Sequence, residues 1–138
     1  MKTRVVVTGM GAISPIGNTV EEFSASLKAG KSGVGPITLF DASDFDVKIA
    51  GEVKNFDPSR WINKKDARKM ARFTQFAVAA AAQALEQAGL VEPFSAQAEG
   101  EGEESKPKLI CNPDKTGIVL GNGIGGWEVV EESFRKMI

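Results

Sequence analysis

Histidine is missing altogether, and with it the side chain most often used for general acid–base work at neutral pH and for zinc ligation. A single cysteine, Cys111, excludes an internal disulfide framework and predicts a reducing compartment. No apolar run approaches the ~20 residues that span a bilayer. Strand-like sequence follows Met1 with no room for a signal or transit peptide, so a cytoplasmic protein without a membrane segment is expected. An excess of one charge is lacking too. With 17 basic and 18 acidic residues there is no global nucleic-acid or membrane signature, and electrostatic recognition must come from local clusters. Length forbids nothing, since 138 residues can bury roughly 68% of their unfolded surface around one core.

What is present is organised around Thr116–Trp127, TGIVLGNGIGGW. Ile118, Val119 and Leu120 read as a strand buried on both faces, ending in a glycine-dense loop where a ligand could meet it. Gly121, Gly123, Gly125 and Gly126 suit a sharp turn or a close approach, with Ile124 as the one apolar side chain among them. Beyond Trp127, the spacing of Val130, Phe134 and Met137 predicts a helix. A second β-branched run, Arg4–Thr8, also leads into glycines and is expected to lie beside Gly117–Leu120 as a parallel strand. Strands of this kind with helices between them predict an α/β layered sheet.

Between these runs, Thr19-x-x-Glu22 is a capping box opening a helix with Val20, Phe23 and Leu27 on one face, stopped by Gly30. Gly33–Ser43 reads as loop, and the alternation of Val47, Ile49, Gly51 and Val53 with polar neighbours predicts an edge strand. Asn63 caps a long helix running to about Ala88. Its expected buried stripe is Met70, Phe73, Ala77, Ala80, Ala81, Ala84, Leu85 and Ala88, and Gly89 ends it. From about 91 to 115 an acidic, Gly- and Pro-containing stretch is expected to be a solvated loop insertion.

Three ordered blocks together resemble the β-ketoacyl-acyl-carrier-protein synthases (3-oxoacyl-acyl-carrier-protein synthases), most closely the type II condensing enzymes. They are RVVVTGMGAISPIGNTVEEF with LKAGKSGVGPITLFDAS, then KIAGEVKNFDPSRWINKKDARKMARFTQFAVAAAAQAL, then GIVLGNGIGG. The resemblance implies a thiolase-like fold, αβαβα in the full enzyme, with residues 1–138 as an incomplete first half. It also implies an acyltransferase of fatty-acid biosynthesis. An acyl group passes from acyl carrier protein to a cysteine, and a malonyl thioester then attacks it with loss of carbon dioxide. The full-length enzyme is expected to be a homodimer needing no cofactor or metal, with no nucleic-acid or membrane partner. The family's nucleophilic cysteine and two histidines have no counterpart among these residues, so no catalytic residue is assigned and the chain alone is expected to be inactive. A non-catalytic module that keeps only carrier-protein binding is the alternative.

Four features carry a sharper and a plainer reading. Cys111 lacks a paired base and the family's motif, and reads as an incidental thiol. Gly9-Met10-Gly11 lacks the third glycine and the downstream acid of a dinucleotide-binding fingerprint, so a Rossmann-type protein is a distant alternative. Ile124 is either plain packing or, by the resemblance, a wall of the acyl-chain pocket. Arg60, Lys64, Lys65, Arg68, Lys69 and Arg72 oppose only Asp66 between them, a solvated helix face on the plain reading. The resemblance assigns Lys65, Arg68 and Lys69 to docking of acyl carrier protein.

Overall fold

The structure, a computed structural model, describes residues 3–94 and 108–138. The acidic residues Glu99, Glu101, Glu103 and Glu104 of the expected insertion lie outside these. Contacts divide the chain into two compact units, Gly11–Asp57 and a second made of the residues up to Met10 with Pro58–Ile138.

In the Gly11–Asp57 unit, Thr19 caps helix α1 (Val20–Lys28) by accepting from the Glu22 amide, and Gly30 closes it at φ 64°. The Glu22 carboxylate accepts from the Asn18 amide at 2.7 Å, one residue before the cap. Strands β1 (Val34–Pro36) and β2 (Ile49–Gly51) pair antiparallel, with Gly35 opposite Ala50. Two expectations are corrected here. Gly35 and Pro36 do not break the chain into loop but sit in a strand, where proline is tolerated because a two-stranded ribbon has only edges. The alternation around β2 also faces the other way: Val47 and Ile49 are 66% and 58% exposed, while Ala50 and Glu52 turn inward. The reason is polar. Glu52 accepts from the Thr38 amide (2.9 Å), the Thr38 hydroxyl (2.7 Å) and the Leu39 amide (3.2 Å), tying β2 to the chain leaving β1.

In the second unit, the predicted long helix is two helices. Asn63 caps the first, α2 (Lys64–Ala67), as expected. Backbone bonds then tighten through Met70, Ala71 turns extended (φ −58°, ψ 149°), and α3 runs Arg72–Gln87, ended by Gly89 at φ 67°. Neither glycine nor proline marks the break. The Gln75 side-chain amide donates to the carbonyls of Ala67 and Met70 at 2.9 and 3.2 Å, the former also accepting from the Met70 amide at 3.3 Å. The buried stripe moves accordingly. Ala79 and Ala82 are the buried residues of α3, joined in the core by Ile62 and Val91, whereas Phe73 and Ala81 are exposed. The last helix, α4, spans Trp127–Met137 as the spacing predicted.

The expected parallel pair is also corrected: neither Arg4–Thr8 nor Gly117–Leu120 forms a strand. Val5, Val7, Ile118 and Val119 are 89%, 83%, 91% and 102% exposed, and the one sheet among the described residues is β1–β2. Without a hydrogen-bonded neighbour, β-branched residues have the preference for a strand but no ladder to enter. Past this run the chain does dock: Gly9 lies so close to the Ala84 carbonyl and Ala88 that a side chain would collide with them. The Met10 amide donates to Gln87 Oε1 at 2.7 Å. The stretch from 91 to 115 is not loop throughout. Val91 bridges Leu109, Glu92 donates to the Lys108 carbonyl, and Pro113–Lys115 make a 3-10 turn.

The hydrogen bonds from Thr38 and Leu39 lower the Glu52 pKa from its ordinary 4.5. A lowered carboxylate stabilises the fold above the ordinary value and loses that contribution as pH falls through the folded one. The protection of the Thr38 and Leu39 amides, taken relative to the intrinsic exchange rate at each pH, should therefore fall on acidification below pH 4.5. Glu52→Gln should remove this pH dependence of protection. Protection that stays constant into acid would show that Glu52 does not hold this turn.

Candidate functional site

The basic segment begins at the capped start of α2. Lys65 lies within α2, Arg68 is its C-cap and Lys69 follows in the tightened turn, and all three side chains are exposed. Among the described residues the ion pairs are Arg60–Glu86, Arg135–Glu131 and Lys136–Glu132, so none of the three cations has an acidic partner within 4.0 Å. Asp66, the acid within the segment, is turned back on Asn63, accepting from its side-chain amide at 2.7 Å. Arg72 departs from the helical spacing that the sequence implied. It opens α3 beyond the break, its guanidinium 5.0 Å from the centre of the Phe76 ring.

An open groove of about 500 Å³ runs between this segment and α4, with Arg68, Lys69, Met70 and Arg72 on one wall and Glu132 and Lys136 on the other. The Lys136 ammonium donates to Glu132 at 2.7 Å and holds that carboxyl below its ordinary value. Lys136 offsets Glu132 and, among the other lining charges, Arg72 offsets Glu128, which leaves Arg68 and Lys69 to set the sign of the groove.

The glycine loop meets α3 at one point. A Cβ on Gly126 would lie 2.5 Å from Ala71 Cβ and 3.2 Å from Phe73 Cε1, so this is the close approach that the loop's composition implied. Gly125 adds a left-handed turn at φ 94°. Ile124 is 80% exposed and lines neither the groove nor the core, so it is not packed in this structure. Two contributors were not legible in the sequence. Gln75 reads as a helix-surface residue yet caps α2, and Glu128 reads as a first-turn acid of α4 yet accepts from the Arg72 amide at 3.0 Å. No spacing in the sequence marks either role, because both depend on the break before α3, whose N-cap Ala71 makes no side-chain cap bond.

The chain matches the family described as "Beta-ketoacyl synthase, N-terminal domain" over residues 2–135. It belongs to the β-ketoacyl synthase family. It is 44% identical over 131 residues to the 3-oxoacyl-acyl-carrier-protein synthase 2 of Synechocystis sp., covering 95% of this chain and 28% of that protein. Against the same-named protein of Vibrio cholerae the identity is 44% over 137 residues, covering 99% of this chain and 29% of that protein. The chain thus spans less than a third of the relatives it matches. A solved structure titled "The ishigamide ketosynthase/chain length factor" superposes with a TM-score of 0.57 at 50% identity, over 62% of this chain and 21% of that one. The fold class is accordingly α/β and thiolase-like, present here as part of its first half, and the dinucleotide-binding alternative falls away. Among the described residues no helix is long and apolar enough to cross a membrane.

Gly126→Ala should force the loop and α3 apart, because overfilling a packed contact costs about 1–3 kcal/mol. Gly123→Ala, where a Cβ meets nothing within 4 Å, should stay within about 0.5 kcal/mol of the parent in urea unfolding. Equal effects at the two positions would remove the contact as a structural determinant.

Proposed function

We propose that this chain is the N-terminal part of a cytoplasmic 3-oxoacyl-acyl-carrier-protein synthase that condenses acyl thioesters with malonyl-acyl-carrier protein in fatty-acid elongation. Lys65, Arg68 and Lys69 dock the carrier protein, and Ile124 lines the acyl-chain pocket of the complete, homodimeric enzyme. Family membership supports the reaction class. The observation that carries the docking reading is the exposed cation turn, without an ion-pair partner among the described residues, on a chain whose net charge is −1. An acidic partner gains there without first breaking an internal ion pair.

The chain by itself docks and does not condense. Its one thiol, Cys111, has no histidine to activate it or to favour decarboxylation. Incubation with acyl and malonyl carrier protein should give no elongated product, and product that disappears in Cys111→Ser would overturn this.

Exposed ion pairs contribute only about 0–1 kcal/mol each, so single replacements of Lys65, Arg68 or Lys69 by Ala should weaken docking slightly and the triple replacement should accumulate the losses. With a Debye length of roughly 8 Å at physiological salt, affinity should fall as salt rises, mainly through slower association. The measurement is titration of carrier protein at two salt concentrations, with circular dichroism as the folding control. Unchanged affinity and salt response in a folded triple variant would leave these residues as a solvated surface.

In the complete enzyme, Ile124→Phe should narrow the channel and cost long acyl chains far more loading than short ones, overfilling being worth about 1–3 kcal/mol. Equal loss at every chain length would reduce Ile124 to a support for its loop.

A further inference from the structure

Nothing in the immediate surroundings of Ile124 holds it in place. It is 80% exposed, a Cβ on Gly121 or Gly123 would touch nothing within 4 Å, and Gly125 follows in a conformation that side chains rarely adopt. What fixes the loop must therefore lie after it, and two contacts do. One is the packing of Gly126 on Ala71. The other is polar: Arg72 N, in the first turn of α3, donates to Glu128 Oε1 at 3.0 Å across 56 positions of sequence. That amide needs an acceptor from elsewhere, because the α3 N-cap is Ala71 and makes no side-chain cap bond. A carboxylate is the favoured one, since it meets both this first-turn amide and the positive end of the helix dipole. The same residue sits in the first turn of α4, where the dipole also favours it.

We propose that Glu128 is the positioning residue of the glycine loop: by capping α3 from the start of α4 it sets where Ile124 stands, and through Ile124 the acyl-chain length accepted. The last step rests on the reading of Ile124 as a pocket wall, whereas the positioning itself does not. The cap also joins the loop to the basic turn, because Lys69 and Arg72 flank the break that Glu128 closes. A carrier protein seated on Lys65, Arg68 and Lys69 thus docks on the segment that holds the acyl-pocket loop.

The test uses the whole chain, with the Ile124 methyl resonances and the exchange rate of the Arg72 amide as readouts. Glu128→Ala should speed Arg72 exchange by roughly tenfold or more and shift or broaden the Ile124 signal. Glu128→Gln keeps an acceptor of the same reach and should restore both. Should the Ala variant lose helical circular dichroism, Glu128→Asp, which withdraws the carboxylate by one methylene, should move the same two signals in a folded chain. An Ile124 resonance unchanged in Glu128→Ala or Glu128→Asp overturns the proposal, and so does failure of Glu128→Gln to restore it. A flat chain-length profile for Ile124→Phe in the complete enzyme would instead sink the pocket reading and leave the positioning role of Glu128 standing.

Discussion

The first turn of α3 is where the basic turn, the glycine loop and the start of α4 meet, and its geometry follows from one requirement: the backbone groups exposed by the break at Ala71 must be satisfied. Interrupting a helix there frees carbonyls on one side and amides on the other, which side chains or water must then satisfy. Gln75 reaches back to the Ala67 and Met70 carbonyls, and Glu128 reaches across to the Arg72 amide. Between these two caps, Gly126 packs on Ala71 with no room for a side chain. Remove either cap and these groups are left to water. The basic turn, the glycine loop and the start of α4 would then lose their common support.

This arrangement explains why the site is charged and open at once. The break is closed by the Gln75 amide and the Glu128 carboxylate, and Asp66 is engaged by Asn63, while Lys65, Arg68 and Lys69 stay exposed. On α4 the cations are neutralised locally by Glu131 and Glu132 one turn earlier. The positive character of the groove is therefore focused at the α2 end.

The two β-branched runs show the limit of local preference. Val5–Val7 and Ile118–Leu120 have the composition of buried parallel strands. Yet they stand exposed, because a strand is a property of a pair. The chain spans less than a third of the relatives it matches, and among the described residues neither run finds a ladder partner.

What the sequence by itself determined were features closed within a few residues. These include the Thr19 and Asn63 caps, the left-handed stops at Gly30 and Gly89, the extent of α4, and the family through its three motif blocks. Each of these rests on contacts between near neighbours, or on short strings whose residue types are nearly forced by the backbone they must adopt. Only the tertiary structure decided that the long helix breaks at Ala71, that Ala79 and Ala82 rather than Phe73 are buried, that the face of β2 is reversed by Glu52, and that Glu128 caps a helix other than its own. The physical reason is separation along the chain. The acceptor for the Arg72 amide lies 56 residues away, and no local spacing records a hydrogen bond whose donor and acceptor meet only after the chain has folded.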